Sequence, residues 1–238
     1  VARRIAHEIK NPLTPIQLSA ERIKRKFHPE VAEADKLDQM TDVIIRQTGD
    51  LRRIVDEFSK FARMPEPILK KSNLVELVRD AVTLQEAGQP GVRIVSTLPD
   101  HPLMADLDET MVSQALTNLI KNAGEAIDAL KEKDATVTLI PEIRVTLAAD
   151  EDTAKLTIQD NGIGLPEDRA RLFEPYVTTR DKGTGLGLPI VKKIIEEHGG
   201  TLRLADAEKF DGHAHVGACA IIELPVVPAG STATKIPA

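Results

Sequence analysis

At 238 residues, with 42% hydrophobic and 29% charged side chains, the chain can hold one large or two modest globular domains and is too apolar to be disordered by default. A net charge of −6 with no compensating basic stretch excludes a nucleic-acid-binding surface as the main function. The lone Cys219, inside the apolar run GACAIIEL, excludes a disulfide framework and fits a small buried residue in a reducing compartment.

The first third predicts two long helices. Ile5, Ile9, Leu13, Ile16, Ala20, Ile23 and Phe27 recur at alternating steps of four and three, and Leu37, Met40, Ile44, Leu51, Ile54, Phe58 and Phe61 keep the same rule, with polar Gln47 in one core position. Between them His28-Pro29-Glu30 is a turn signal, because proline disfavours helix at the residue before it. The expected unit is an antiparallel helical hairpin over residues 1–63. One apolar stripe per helix buries too little alone, so a homodimer forming a four-helix bundle is the expected solution.

On the first helix His7 lies two residues from both Ile5 and Ile9, about 200° around the axis from either, which predicts a solvent-facing ring. An idle surface histidine has the same signature. Three neighbours weigh against idleness: Glu8 can take a proton, Asn11 shares the face of His7 one turn on, and Pro12 tends to bend the axis at this turn.

Met64-Pro65-Glu66-Pro67 breaks the second helix and marks a linker at 64–69, ahead of an α/β sandwich expected over 70–227 and a disordered tail at 228–238. Ser72 or Asn73 can cap a helix carrying Leu74, Leu77, Val78, Ala81 and Leu84. Short strands follow at 92–98 and 103–107, then a helix at 110–130 with Met111, Ala115, Leu116, Leu119, Ala123 and Ile127 on one face. A hairpin spans 142–149 and 154–159, and further strands are expected at 201–204 and 218–224. The predicted architecture has helices packed on one face of a mixed, mostly antiparallel sheet. The stretch 131–141 is longer than a minimal connection.

Chemistry concentrates between Asp160 and Leu188, where two glycine clusters flank a long polar stretch and lead into the helical run PIVKKIIEEHGG. Glycines let the backbone approach a ligand, and a helix start offers free N–H groups to phosphate, so this reads as an ATP site under a mobile lid. Asp160 is placed to accept a hydrogen bond from the adenine amino group. A P-loop is excluded, since no Gly-Lys-Ser/Thr occurs. So is a Rossmann turn, because Gly183, Gly185 and Gly187 follow a loop and not a buried strand. Asn118 and Asn122, one turn apart, suit a Mg²⁺ completed by ATP phosphates, while Lys121 either reaches a phosphate or points to solvent.

With HEIKNP, NLIKNAGEAI, DNGIGLP, LFEPY and GTGLGLPIVKKIIEEHGG in this order, the chain resembles the catalytic core of the two-component sensor histidine kinases over nearly its whole length. VARRIAHEIKNPLTPIQLSAERIKRKF looks most like the NtrY group of nitrogen-regulation kinases. The resemblance implies a dimerisation and phosphotransfer hairpin followed by an ATP-binding sandwich of the GHKL (Bergerat) type. By the same resemblance His7 is the phosphoacceptor, Glu8 its acid/base, and Asn11 assists dephosphorylation of a response regulator. Asn122 with Asn118 holds Mg²⁺, Asp160 reads adenine, and Gly162 and Gly164 form one side of the pocket. Gly183, Gly185 and Gly187 form the other side, with Lys182, Thr184 and Leu186 among them, and Phe173 anchors the lid. Implied partners are a second copy and a response-regulator receiver domain, with no nucleic acid.

No apolar run is long enough to span a membrane, no signal peptide is visible, and the chain opens in mid-pattern at Val1, so a fragment of a longer protein is expected. The resemblance makes it the cytoplasmic portion of a bacterial inner-membrane protein, tethered through an N-terminal sensor region. An ATPase of the same GHKL type, or a silent nucleotide-binding dimer, are the rival readings.

Overall fold

In a computed structural model of the chain, residues 2–61, 64–133, 139–175, 177, 184–210 and 216–227 are described. Two compact units emerge, one of Val1–Pro65 with Arg180–Leu186, the other of Glu66–Thr179 with Gly187–Ala238.

The first unit is the hairpin of α1 (Ala2–Phe27) and α2 (Ala34–Phe61). Its internal seam differs from the predicted stripes. Ala6, Leu13 and Ala20 of α1 are buried, as are Thr41, Thr48, Val55 and Ser59 of α2, while Ile9, Ile16, Ile23, Met40, Ile44 and Leu51 are exposed. Gln47, expected in a core position, is exposed as well. The physical reason is close approach: Ala6, Ala20, Thr41, Thr48 and Ser59 are small enough to let the helices draw together around Leu13 and Val55, and most of the larger apolar residues are left on the outside. Thr41 and Thr48 fit this seam because their hydroxyls donate to the carbonyls of Leu37 and Ile44, both at 2.8 Å, so no buried polar atom is stranded. Lys24 bridges to both carboxylate oxygens of Asp42 at 2.8 Å, Lys10 pairs with Asp56, and His28 Nδ1 lies 3.0 Å from Asp38, tying the helices together from the outside.

The second unit begins with β1 (Lys70–Asn73), which pairs antiparallel with β3 (Met104–Leu107) as a separate two-stranded sheet. Asn73 then caps α3 (Leu74–Gly88), its side chain accepting from the Val75 amide. The main sheet has the order β2-β4-β5-β7-β6, built from β2 (Arg93–Thr97), β4 (Glu142–Ala149), β5 (Thr153–Asp160), β7 (Ala218–Pro225) and β6 (Thr201–Asp206). Among the described residues only β2 and β4 run parallel in this sheet, which is the mixed, mostly antiparallel arrangement expected.

One face of that sheet is covered by α3, α4 (Glu109–Lys133) and α5 (Gly187–Glu197). Alternation does the sorting: Ile143, Val145 and Leu147 of β4 and Leu156 and Ile158 of β5 are buried, as are Leu116, Ile120 and Ile127 of α4. Continuing that period by one step puts Asp160, the last residue of β5, on the core face at the end of the strand, where it is 4% exposed.

Candidate functional site

The Asp160 carboxylate is held by the backbone around it. Its Oδ1 accepts the Gly162 amide at 2.9 Å and the Ala218 amide at 3.3 Å. Gly162 itself lies against α4: a methyl group there would sit 2.6 Å from both the Ala126 oxygen and the Ile127 nitrogen, so only glycine fits. The Ile163 amide donates to the Ala126 carbonyl at 3.0 Å and locks the loop onto the helix. Gly164 has φ of 80° and faces the Val216 carbonyl.

This docking point lies one helical turn beyond Asn122 on α4. Asn118 and Asn122 are both half-buried on the same face, and a side chain at Gly187 would meet the Asn122 amide at 3.8 Å. Asn122 therefore sits beside the first turn of α5, where unpaired backbone N–H groups favour anions. Among the described residues no cluster of three or more His, Cys, Asp or Glu side chains can hold a metal ion. Two neutral amides beside a helix start do suit a hydrated Mg²⁺ carried in on phosphates. Lys121 is exposed and 3.7 Å from Glu125, one turn on along the surface of α4.

Of the remaining predicted residues, Phe173 closes a single 3₁₀ turn (Ala170–Phe173), half-buried, with Lys192 of α5 5.0 Å from its ring centroid. Gly185 has φ of 68°, Leu186 is buried and Gly187 opens α5. Lys182 and Gly183 lie outside the described residues. In the hairpin unit His7 is on α1, although its side chain is outside the described set, and Glu8 and Asn11 are exposed. Pro12 and Pro15 are inside α1, where they deprive the Glu8 and Asn11 carbonyls of their usual helical donors.

Sequence reasoning missed several supporting residues. Asn161 is buried; its Oδ1 accepts the Glu142 amide at 3.0 Å and its Nδ2 donates to the Ile140 carbonyl at 2.7 Å, which fixes the start of β4 beside the pocket. At the far end of α5, buried His198 donates from Nδ1 to the Ile194 carbonyl at 2.7 Å and accepts the Asp108 amide on Nε2 at 2.9 Å. Asp108 also accepts from Ile68 and Met111, and the Ile68 amide above all holds its carboxyl below the ordinary aspartate range. Gly217 and Ala218 had only a glycine ahead of a strand as their signal. Cys219 is buried as expected, and burial pushes its thiol pKa up.

The second unit is thus an α/β sandwich that combines a buried carboxylate in a glycine turn, paired amides on the adjoining helix and a helix opened by glycine, and a helical hairpin precedes it. Residues 1–67 match the family described as His Kinase A (phospho-acceptor) domain, and residues 107–228 match the family of histidine kinase-, DNA gyrase B- and HSP90-like ATPases. The chain therefore belongs to the sensor histidine kinases, and its second unit is of the ATP-binding GHKL class.

It is 55% identical over 215 residues to nitrogen regulation protein NtrY of Azorhizobium caulinodans, covering 89% of this chain and 27% of that protein. An NtrY-like sensor histidine kinase of Rickettsia felis is 40% identical over 88% of this chain and 34% of its own length. The chain thus spans between a quarter and about a third of the length of these two curated relatives. Among solved structures, histidine kinase ThkA in complex with the response regulator protein TrrA is similar at 26% identity and a TM-score of 0.62, over 95% of this chain and 61% of that one. Among the described residues no helix is long and apolar enough to cross a membrane.

Proposed function

We propose that this chain is an ATP-dependent protein-histidine kinase that phosphorylates its own His7 and passes the phosphoryl group to an aspartate of a response-regulator receiver domain. The single observation that carries the reading is the Asp160 carboxylate, buried and anchored between Gly162 and Ala218, beside an α4 face that carries Asn118 and Asn122, the latter next to Gly187 at the start of α5. Asp160 accepts the adenine amino group, Gly162 and Gly164 let the base approach the backbone, and Gly183, Gly185 and Gly187 close over the phosphates. Mg²⁺, held by Asn122 with Asn118, would offset phosphate charge.

In the transfer step an unprotonated nitrogen of His7 attacks the γ-phosphorus in line. The new N–P bond forms as the bond to the β,γ-bridging oxygen breaks, ADP leaves, and Glu8 takes the ring proton. The phosphoryl group then moves to the receiver aspartate, restoring the imidazole. Asn11, exposed one turn beyond His7, orients the water that hydrolyses the receiver's aspartyl phosphate to aspartate and inorganic phosphate in an opposing phosphatase role. Two copies pair through the outer apolar face of the hairpin. As part of a longer sensor kinase, the chain would answer an input received elsewhere, nitrogen status being the one its NtrY relatives suggest.

Incubation with γ-labelled ATP and Mg²⁺ tests this directly. Wild type should carry label, His7→Gln should carry none while still binding nucleotide, and Asp160→Asn should bind ATP about tenfold or more weakly, as expected for loss of a charged hydrogen-bond acceptor. Label persisting on His7→Gln would sink the acceptor assignment.

A further inference from the structure

The β6–β7 connection leaves the sheet at Ala207 and returns at Gly217, and the Ala207 amide donates to the Gly217 carbonyl at 2.9 Å to pin the two ends together. Near its start, Phe210 is 3% exposed and packs with Ala207, Cys219 and Ile221 in a small apolar cluster of its own. Strand register places that cluster. Cys219 pairs with Gln159, one step out of phase with Ile158 and Asp160, so the cluster lies on the sheet face opposite α4. The Arg144 guanidinium covers the Phe210 ring at 4.0 Å from its centroid, with Arg144 Nε donating to Glu142 at 2.7 Å. The Glu208 amide donates to Gln159 Oε1 at 3.2 Å. Phe210 is thus a plug capped by a cation, in a stretch that Gln159 ties down at Glu208.

Phe210 meets the far end of the connection through Cys219, two residues beyond Gly217. A methyl group at Gly217 would sit 2.6 Å from the Asp160 carbonyl carbon and 2.9 Å from Asp160 Oδ1, so the chain passes there with no room for a side chain. Its carbonyl and that of Val216 also flank Gly164. The next residue, Ala218, supplies an amide to Asp160 Oδ1.

We propose that Phe210 and Gly217 are positioning residues for base selection: Phe210, clamped by Arg144 on the outer face of the sheet, holds Gly217 and Ala218 against Asp160 and so sets the carboxylate that discriminates the nucleotide base. The inference rests on the reading of Asp160 as the adenine contact. It adds a specificity determinant on the side of the sheet away from the covering helices. Arg144 and Gln159 serve the same end, because both grip the connection and neither lies on the Asp160 face.

The test compares ATP with purine riboside triphosphate, which lacks the exocyclic amino group, by equilibrium binding to the full chain well below the melting temperature of each variant. Gly217→Ala can fail to fold, so Phe210→Ala is the informative change. Its ATP affinity should fall about tenfold while affinity for the analogue changes less than about twofold, the span expected when one charge-assisted hydrogen bond is misaligned. Phe210→Leu, which keeps an apolar plug, should retain most of the discrimination. General loosening would weaken both nucleotides together, and that result, or no change in either, overturns the proposal. Asp160→Asn separates the two layers. If it leaves the discrimination of wild type intact, the adenine reading is wrong and this inference falls with it. If it erases discrimination while Phe210→Ala preserves it, only the inference falls.

Discussion

The hairpin and the sandwich solve the same problem of burying apolar surface in opposite ways. Leu116, Ile127, Ile143, Leu156, Ile194 and Ile222 fill the sandwich core almost completely, whereas the described hairpin buries only Ala6, Leu13, Ala20 and Val55 among its apolar residues. Ile9, Ile16, Ile23, Met40, Ile44 and Leu51 are exposed. A core of Leu and Ile closes within one chain, but a seam of Ala and Thr brings two helices together and leaves the main hydrophobic driving force unspent. The sandwich closes its core within the chain; the hairpin leaves an apolar face open.

The sharpest way to break that contrast is to cut into each core. Ile127→Ala removes a side chain that is 0% exposed on the buried face of α4, and should cost about 3 kcal/mol of sandwich stability, the usual scale for emptying a packed site. Denaturant melts would show a lower midpoint at any protein concentration. A cost below about 1 kcal/mol would mean the sandwich is packed no better than the hairpin.

Next in size comes the outer face of the hairpin. Ile16 and Ile44 are 46% and 42% exposed, and in a finished monomer a polar residue at either position would change little. In a four-helix dimer the double variant Ile16→Asp with Ile44→Asp buries two carboxylates, so association should weaken by about a hundredfold or more while nucleotide affinity holds. Sedimentation equilibrium reads the first quantity and nucleotide titration the second. Undisturbed association would place the dimer contact elsewhere.

How much of this was legible beforehand follows the same division. The sandwich could be read because its strands alternate and its helices keep a 3.6 period, so Ile143 to Ala149 and the α4 face announced themselves. Strand β1 escaped because KKSN is polar and pairs with a single neighbour, so no periodic signal exists. The hairpin helices were legible but their seam was not: Ile and Leu dominate any hydrophobic pattern, while Ala6, Thr41 and Thr48 carry almost no weight in it. At the site, Asp160 and Gly162 stood out as neighbours in a glycine cluster. Ala218 did not, since it reaches Asp160 from 58 positions away, a proximity that only sheet pairing creates. Phe210 is hidden for the same reason, in a stretch whose polar neighbours read as ordinary loop.

The smallest expected effect concerns the join that leads into the sandwich. Asp108 takes the Ile68 amide at 3.0 Å and the Met111 amide at 3.1 Å, and these bonds hold its pKa below the ordinary value. A carboxyl whose folded-state pKa is lowered contributes stability that is fully present above its unfolded pKa of about 3.9 and is lost as pH falls through the folded value. Asp108→Asn keeps one acceptor and has no charge to titrate. The variant should therefore melt slightly below wild type at pH 7, and the gap should narrow as pH drops from about 5 toward 3. Melting curves across that range read the sign directly, and a gap that widens in acid would show that the Ile68 and Met111 amides do not favour the ionised form.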